Sequence, residues 1–311
     1  MRIVFMGTPD FAVPSLQALI RAGHEIAAVV TQPDRPRGRG RKLCPSPVKQ
    51  AALDGNIPVL QPGKVKDPAF LQDLQRLKPS VIIVVAYGQI LPKTILDLPD
   101  FGCINLHASL LPHYRGAAPI HWAIIKGEQM TGVTTMHMDV GLDSGDMILK
   151  AETAIDPDET TGMLHDRLKL IGAELLEQTL RLLETGQAPR TPQDHAASTY
   201  APLLTRELER IDWTQPAQAV HNRIRGLCPW PGAYCLHRGK VLKLCRSRLT
   251  ILPPQTDTRP GRIHALTAEG VIVETGDGAV ELLELQPECR QRMNARDCAN
   301  GYCLVIDDTL T

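Results

Sequence analysis

The first half of the chain alternates short apolar runs rich in β-branched residues with amphipathic segments, and that alternation restricts it to a layered α/β domain. Ile3 to Met6, Ile26 to Val30, Val81 to Ala86 and Cys103 to Leu106 read as buried strands. Between them Phe11 to Arg21, Pro47 to Leu53 and Pro68 to Leu77 carry helical spacing, with Pro or Gly at most junctions. A long helix is expected from Thr160 to Glu184, because Met163, Leu164, Leu168, Ile171, Leu175, Leu176 and Leu180 recur at helical steps.

After that helix the texture changes. Gly186 to Ser198 is polar and contains Pro, and beyond Trp213 the pattern becomes short strands separated by Gly and Pro. Lys240 to Leu244, Gly261 to Ala265, Val271 to Glu274 and Ala279 to Leu285 read as strands, with Gly276-Asp277-Gly278 as a tight turn. The expected organisation is a Rossmann-like domain over 1–189, a linker over 190–205 and a small OB-like β-barrel over 206–311. A length of 311 residues suits two domains of about 150 residues each.

Hydrophobic residues at 43% and charged residues at 22% are the proportions of a folded protein. Val81 to Ala86, the longest strongly apolar run, falls far short of the ~20 residues of a membrane span, and no signal peptide is read at the N-terminus. Eight cysteines without a C-x-x-C pair argue against a zinc ribbon and suit reduced thiols in a cytoplasm. Lys plus Arg and Asp plus Glu balance at 34 each, so only the distribution of charge is informative. Arg35, Arg37, Arg39, Arg41 and Lys42 crowd a Gly-Pro loop, and Trp213 to Thr256 holds no acid but carries Arg223, Arg225, Arg238, Lys240, Lys243, Arg246 and Arg248. Two basic elements in a neutral chain suit a phosphate backbone.

The turn Gly7-Thr8-Pro9-Asp10-Phe11 invites a dinucleotide-binding reading and fails it. G-x-G-x-x-G is missing, and the second strand runs into Thr31-Gln32 where an acid for a ribose hydroxyl is needed. In Cys103-Ile104-Asn105-Leu106-His107, Asn105 and His107 stand two apart. If both are extended, their side chains share a face at the carboxyl end of a strand. The loop Asp139-Val140-Gly141-Leu142-Asp143-Ser144-Gly145-Asp146 is not an EF-hand, since its twelfth position is Lys150. Singly, each of these residues has a structural explanation as a turn or satisfied polar group. Together, an amide, an imidazole and a carboxylate suit stabilisation of an oxyanion and removal of an amine proton.

Asn105-x-His107, Ser109-Leu110-Leu111-Pro112, Arg115-Gly116-Ala117-Ala118-Pro119 and Asp139-x-Gly141-x-Asp143-Ser144-Gly145-Asp146 resemble the signature of the 10-formyltetrahydrofolate-dependent formyltransferases. Gly7 to Phe11, Thr31 to Arg35, Pro45 to Lys49 and Pro229-Trp230-Pro231 resemble the branch that acts on methionyl-tRNA. Ser144, Cys228 and Cys289 depart from residues common there. The resemblance implies that Asn105 and His107 stabilise a tetrahedral intermediate, with Asp143 holding His107. It further implies that Ser109, Leu110, Leu111 and Pro112, with the backbone around Ile90, Leu91 and Val140, line a folate pocket. Formyl-folate and initiator methionyl-tRNA are then the substrates, with Arg35, Arg37, Arg39, Arg41, Lys42, Arg223, Lys240 and Lys243 on the RNA. No metal, no membrane and a monomer are expected. Two alternatives stay open: the same trio serving a small acceptor such as a sugar nucleotide or water, and a non-catalytic RNA-binding module.

Overall fold

The structure, a computed structural model, describes residues 1–37, 42–251 and 259–311. The chain divides into two compact units, Met1–Gly116 with Thr131–Thr153 and His165–Tyr200, and Ala117–Met130 with Ala154–Leu164 and Ala201–Thr311.

In the first unit, runs of Val and Ile too apolar to tolerate a wet face become interior strands. The sheet consists of β1 (Arg2–Gly7), β2 (Glu25–Val30), β3 (Val59–Leu60), β4 (Val81–Val85), β5 (Cys103–His107), β6 (Met130–His137) and β7 (Met147–Ala154), in the order β7-β6-β5-β4-β1-β2-β3 with β7 and β3 at its edges. β1 pairs in parallel with β2 and β4, and β4 with β5, whereas β5 pairs antiparallel with β6. The chain therefore moves outward from β1 in one direction and returns to its other side at β4. This creates the reversal of strand order at whose carboxyl edge open α/β sheets bind ligands.

Two helices of this unit begin where the sequence supplies side-chain caps. Ser46 Oγ accepts the Lys49 amide before Pro47–Asp54, and Asp67 Oδ1 accepts that of Ala69 before Pro68–Leu77, each with Pro at the first helical position. The long helix Thr161–Glu184 buries Leu164, Leu168, Leu175, Leu176 and Leu180, but leaves Met163 exposed. A Cβ on Gly172 would lie 2.7 Å from Leu106 Cδ2, so this helix seats directly against β5. No helix among the described residues is long and apolar enough to cross a membrane.

The second unit carries an antiparallel sheet, β8 (Ala233–His237), β9 (Lys240–Thr250), β10 (Ile263–Leu266), β11 (Val271–Glu274), β12 (Ala279–Pro287) and β13 (Met293–Asn294), in the order β8-β9-β12-β11-β10 with β13 on β12. Trp213, Val220, Ile224, Leu244, Val273 and Leu282 fill its core. The hydrogen-bonded path of named strands is open from β8 to β10, and residues near the C-terminus bridge to both of its ends, Leu310 to His237 and Thr309 to Arg262.

Candidate active site

β5 continues one residue beyond the expected strand, through His107. Both Asn105 and His107 are therefore extended, and the two-residue repeat puts them on one face, opposite Met136 and Thr134 of β6. They are 8% and 6% exposed. The Asn105 amide makes no side-chain hydrogen bond to another described residue and is not among the polar atoms sealed from solvent without a partner.

His107 Nε2 lies 2.9 Å from the Tyr114 carbonyl. Because a carbonyl only accepts, Nε2 is the protonated nitrogen. Nδ1 consequently faces Asp143, with Oδ2 at 3.7 Å. The loop between β6 and β7 delivers Asp143 with φ +50°, the left-handed region that Asp tolerates better than most residues. Its Oδ2 also accepts the Gly116 amide at 2.8 Å. Both ring nitrogens thus face protein groups, so of the two expected oxyanion donors only the Asn105 amide stands without a protein partner among the described residues.

Two residues to which the sequence assigned no role complete this arrangement. Arg115, 3% exposed, donates to Gln193 Oε1 from Nε at 3.1 Å and Nη2 at 2.7 Å, and from Nη2 to His195 Nδ1 at 3.2 Å. Gln193 Nε2 then donates to the carbonyls of Asp143 at 2.9 Å and Gly145 at 2.8 Å. Gln193 lies in the polar stretch read as part of a linker. That stretch is tied to β7 through paired backbone bonds between Thr191 and Met147. A buried amide inside a polar run leaves no periodic trace, so Gln193 had no signal to be found by.

The residues expected at a folate pocket differ in what they expose. Ile90 and Val140 are exposed at 76% and 71%, joined by Leu142 on the Asp143 loop, and Ile90 belongs to the segment that leaves β4 beside β5. Leu91 is buried with Tyr87 and Met138. Ser109 and Leu111 are also buried. Ser109 Oγ donates to the His113 carbonyl at 2.6 Å, and Leu111 packs with Met136 and Met147. Thr134 Oγ1 donates to the Ser109 carbonyl and accepts the Leu111 amide, pinning this turn to β6. Leu110 and Pro112 are half-buried, and the Leu111-Pro112 peptide is cis.

Among the basic residues, Arg39 and Arg41 lie outside the described residues. Arg35–Arg37 pairs with Lys42–Cys44 as a short antiparallel ribbon, and Arg35 is exposed. Its base is anchored where Lys49 Nζ meets Asp34 Oδ2 at 2.6 Å and Gln61 Oε1 at 2.7 Å, and this salt link holds the Asp34 carboxyl below its ordinary range. In the second unit the fold brings acids to the acid-free stretch. Arg238 meets Asp308, Arg246 meets Glu284, and Arg248 meets Glu281 and Glu269. Arg225 is buried and donates to the Asp156 and Glu159 carbonyls. Lys240 and Lys243 are exposed and Arg223 half-buried, and none of the three is in an ion pair among the described residues.

Asp10, His165 and Asp166 place their ligand atoms within 4.8 Å of one another, a spacing compatible with a metal ion. The Lys169 ammonium already sits 2.6 Å from Asp166 and 3.6 Å from Asp10, so a cation of the chain itself balances these carboxylates.

A family model described as formyl transferase matches residues 1–180, and one described as formyl transferase, C-terminal domain, matches residues 203–303. A methionyl-tRNA formyltransferase of Moorella thermoacetica is 56% identical over 310 residues, covering 100% of this chain and 99% of its own. That of Syntrophus aciditrophicus is 53% identical over 302 residues, covering 97% and 96%. Among solved structures, WlaRD, a sugar 3N-formyl transferase in the presence of dTDP and 5-N-formyl-THF, superposes with a TM-score of 0.68 at 19% identity, over 94% of this chain and 99% of that one. HypX from Aquifex aeolicus in complex with tetrahydrofolic acid gives 0.67 at 19% identity, over 99% of this chain and 48% of that one. The structural likenesses concern the fold, while the identities to the curated proteins extend over the full chain: it belongs to the methionyl-tRNA formyltransferase family.

Proposed function

We propose that the chain transfers the formyl group of 10-formyltetrahydrofolate to the α-amino group of methionine esterified to initiator tRNA, as a cytoplasmic monomer that uses no metal. The observation that carries this reading is the placing of Asn105 and His107 on one strand face, with the His107 imidazole 3.7 Å from Asp143.

The co-substrate supplies the formyl carbon. Asn105 donates its amide N–H to the carbonyl oxygen as that oxygen becomes anionic, the point at which a fixed donor in a dry site is worth most. His107 is oriented by Tyr114, and the imidazole and carboxylate together receive the proton lost by the attacking amine and return it to the folate nitrogen as its bond to the formyl carbon breaks, releasing tetrahydrofolate. Ser109, Leu110, Leu111 and Pro112, with the backbone around Ile90, Leu91 and Val140, hold the folate.

Domain limits of 1–189, 190–205 and 206–311, with the last unit OB-like, divide the work between chemistry and RNA binding. Arg35, Arg223, Lys240 and Lys243 meet phosphates, joined by Arg37, Arg39, Arg41 and Lys42. The test is incubation with charged initiator tRNA and the formyl donor, followed by detection of formyl-methionine. Formylation of an amino sugar nucleotide but not of the charged tRNA would refute the acceptor.

A further inference from the structure

We infer that Arg115 and Gln193 are positioning residues that set Asp143 against His107, so that turnover depends on the direction of one buried amide. This deepens the reading above and rests on it, since it requires that Asp143 work with His107. Three consecutive residues hold the pair from one side. The Tyr114 carbonyl takes His107 Nε2–H, the Gly116 amide is donated to Asp143 Oδ2, and Arg115 between them reaches Asp143 through Gln193.

The chemistry of the link permits one orientation only. A guanidinium has donors and no acceptor, so Gln193 must turn Oε1 towards Arg115. Nε2 is thereby aimed at the Asp143 and Gly145 carbonyls, which only accept. Arg115 is buried with no carboxylate within ion-pair distance among the described residues, an arrangement that costs stability. Asp143 holds a left-handed backbone conformation, and two protein donors fix it, one on its carboxylate and one on its carbonyl. Leaving the second out frees the loop to turn, and the carboxylate with it. Displacement of about 1 Å is enough to cost up to roughly a hundredfold in rate.

Gln193→Glu separates positioning from support. The glutamate still accepts both Arg115 bonds and adds a counter-charge, but it has no N–H for Asp143 or Gly145. The expected result is a folded protein whose kcat for methionyl-tRNA falls about tenfold to a hundredfold, with KM within about twofold. Retained kcat, a loss carried by KM instead, or a loss that merely tracks the folded fraction would each overturn the inference. Arg115→Lys provides the second variant should Gln193→Glu fail to fold. It keeps the charge but not the paired donors that direct the amide, so the same loss in kcat is expected and wild-type kcat would overturn the inference. An inactive wild-type protein, or a fully active Asp143→Asn variant, would sink the underlying reading instead. Active wild type, inactive Asp143→Asn and active Gln193→Glu together sink this inference alone.

Discussion

Asp143 Oδ2 lies 3.7 Å from His107 Nδ1, too far for a direct hydrogen bond and close enough for the two groups to feel each other's charge. Neither residue then has an independent part in proton transfer. His107→Ala and Asp143→Ala should each lower kcat by on the order of a hundredfold or more, and the double variant should be little worse than either single one. Single-turnover formylation measures this, and losses that multiply would show that the two act separately.

Asn105 has a different role and a different signature. Asn105→Ala should reduce kcat about a hundred- to a thousandfold while leaving KM nearly unchanged, because the missing donor matters only once charge develops on oxygen. A change confined to KM would assign Asn105 to ground-state binding.

Gly145 tests the loop that carries Asp143. An added Cβ there would run into the His137 carbonyl, which is backbone and cannot move aside. Gly145→Ala should lower the melting temperature by about 5 °C and reduce activity beyond that loss, since Gly145 also accepts from Gln193. Circular dichroism melts alongside activity check both parts.

The ion pairs of the second unit sort its cations. Lys240→Ala and Lys243→Ala should each flatten the salt dependence of RNA affinity by roughly one unit per lost phosphate contact. Arg246→Ala and Arg248→Ala should leave the slope unchanged, because Glu284, Glu281 and Glu269 already neutralise them. Equal slopes for all four variants would remove Lys240 and Lys243 from the RNA interface.

His137 governs part of the acid response. Burial first, and the nearby Arg190 second, push its pKa from 6.5 down to about 4. Between those values the unfolded chain binds a proton that the folded chain refuses, so stability is present above pH 6.5 and declines as pH falls towards 4. The slope from this one group is at most about 1.4 kcal/mol per pH unit. Denaturant titrations of wild type and His137→Gln across that window should diverge, and parallel curves would refute the assignment.

Among the strands legible in the sequence, β4 and β5 have no wet face, whereas β9, read over Lys240 to Leu244, alternates buried and exposed residues. β4 is all Val and Ile and was visible as an apolar run, with its expected end one residue too long at Ala86. β6 escaped because Thr131, Thr134 and Thr135 are buried in it, and buried hydroxyls read as loop until their partners are known. Thr135 finds Thr179 on the long helix and Thr134 finds the Ser109 turn. The helix Ala217–Gly226 was masked in the same way by the buried polar residues His221, Asn222 and Arg225. An absence of acids along Trp213 to Thr256 was real as a sequence fact, yet it overstated the field, because Glu281 and Glu284 enter from the neighbouring strand β12.

What the sequence determined by itself was local. The two-residue spacing of Asn105 and His107 is a property of any extended strand, and the apolar runs had to be interior wherever they packed. Only the tertiary structure decided which groups meet them. Gln193 bonds residues 78 and 50 positions away, Arg115 and Asp143, and Gly116 reaches Asp143 across 27. Periodicity reports which face of an element is buried, whereas the direction of a hydrogen bond between distant residues exists only once the chain has brought donor and acceptor together.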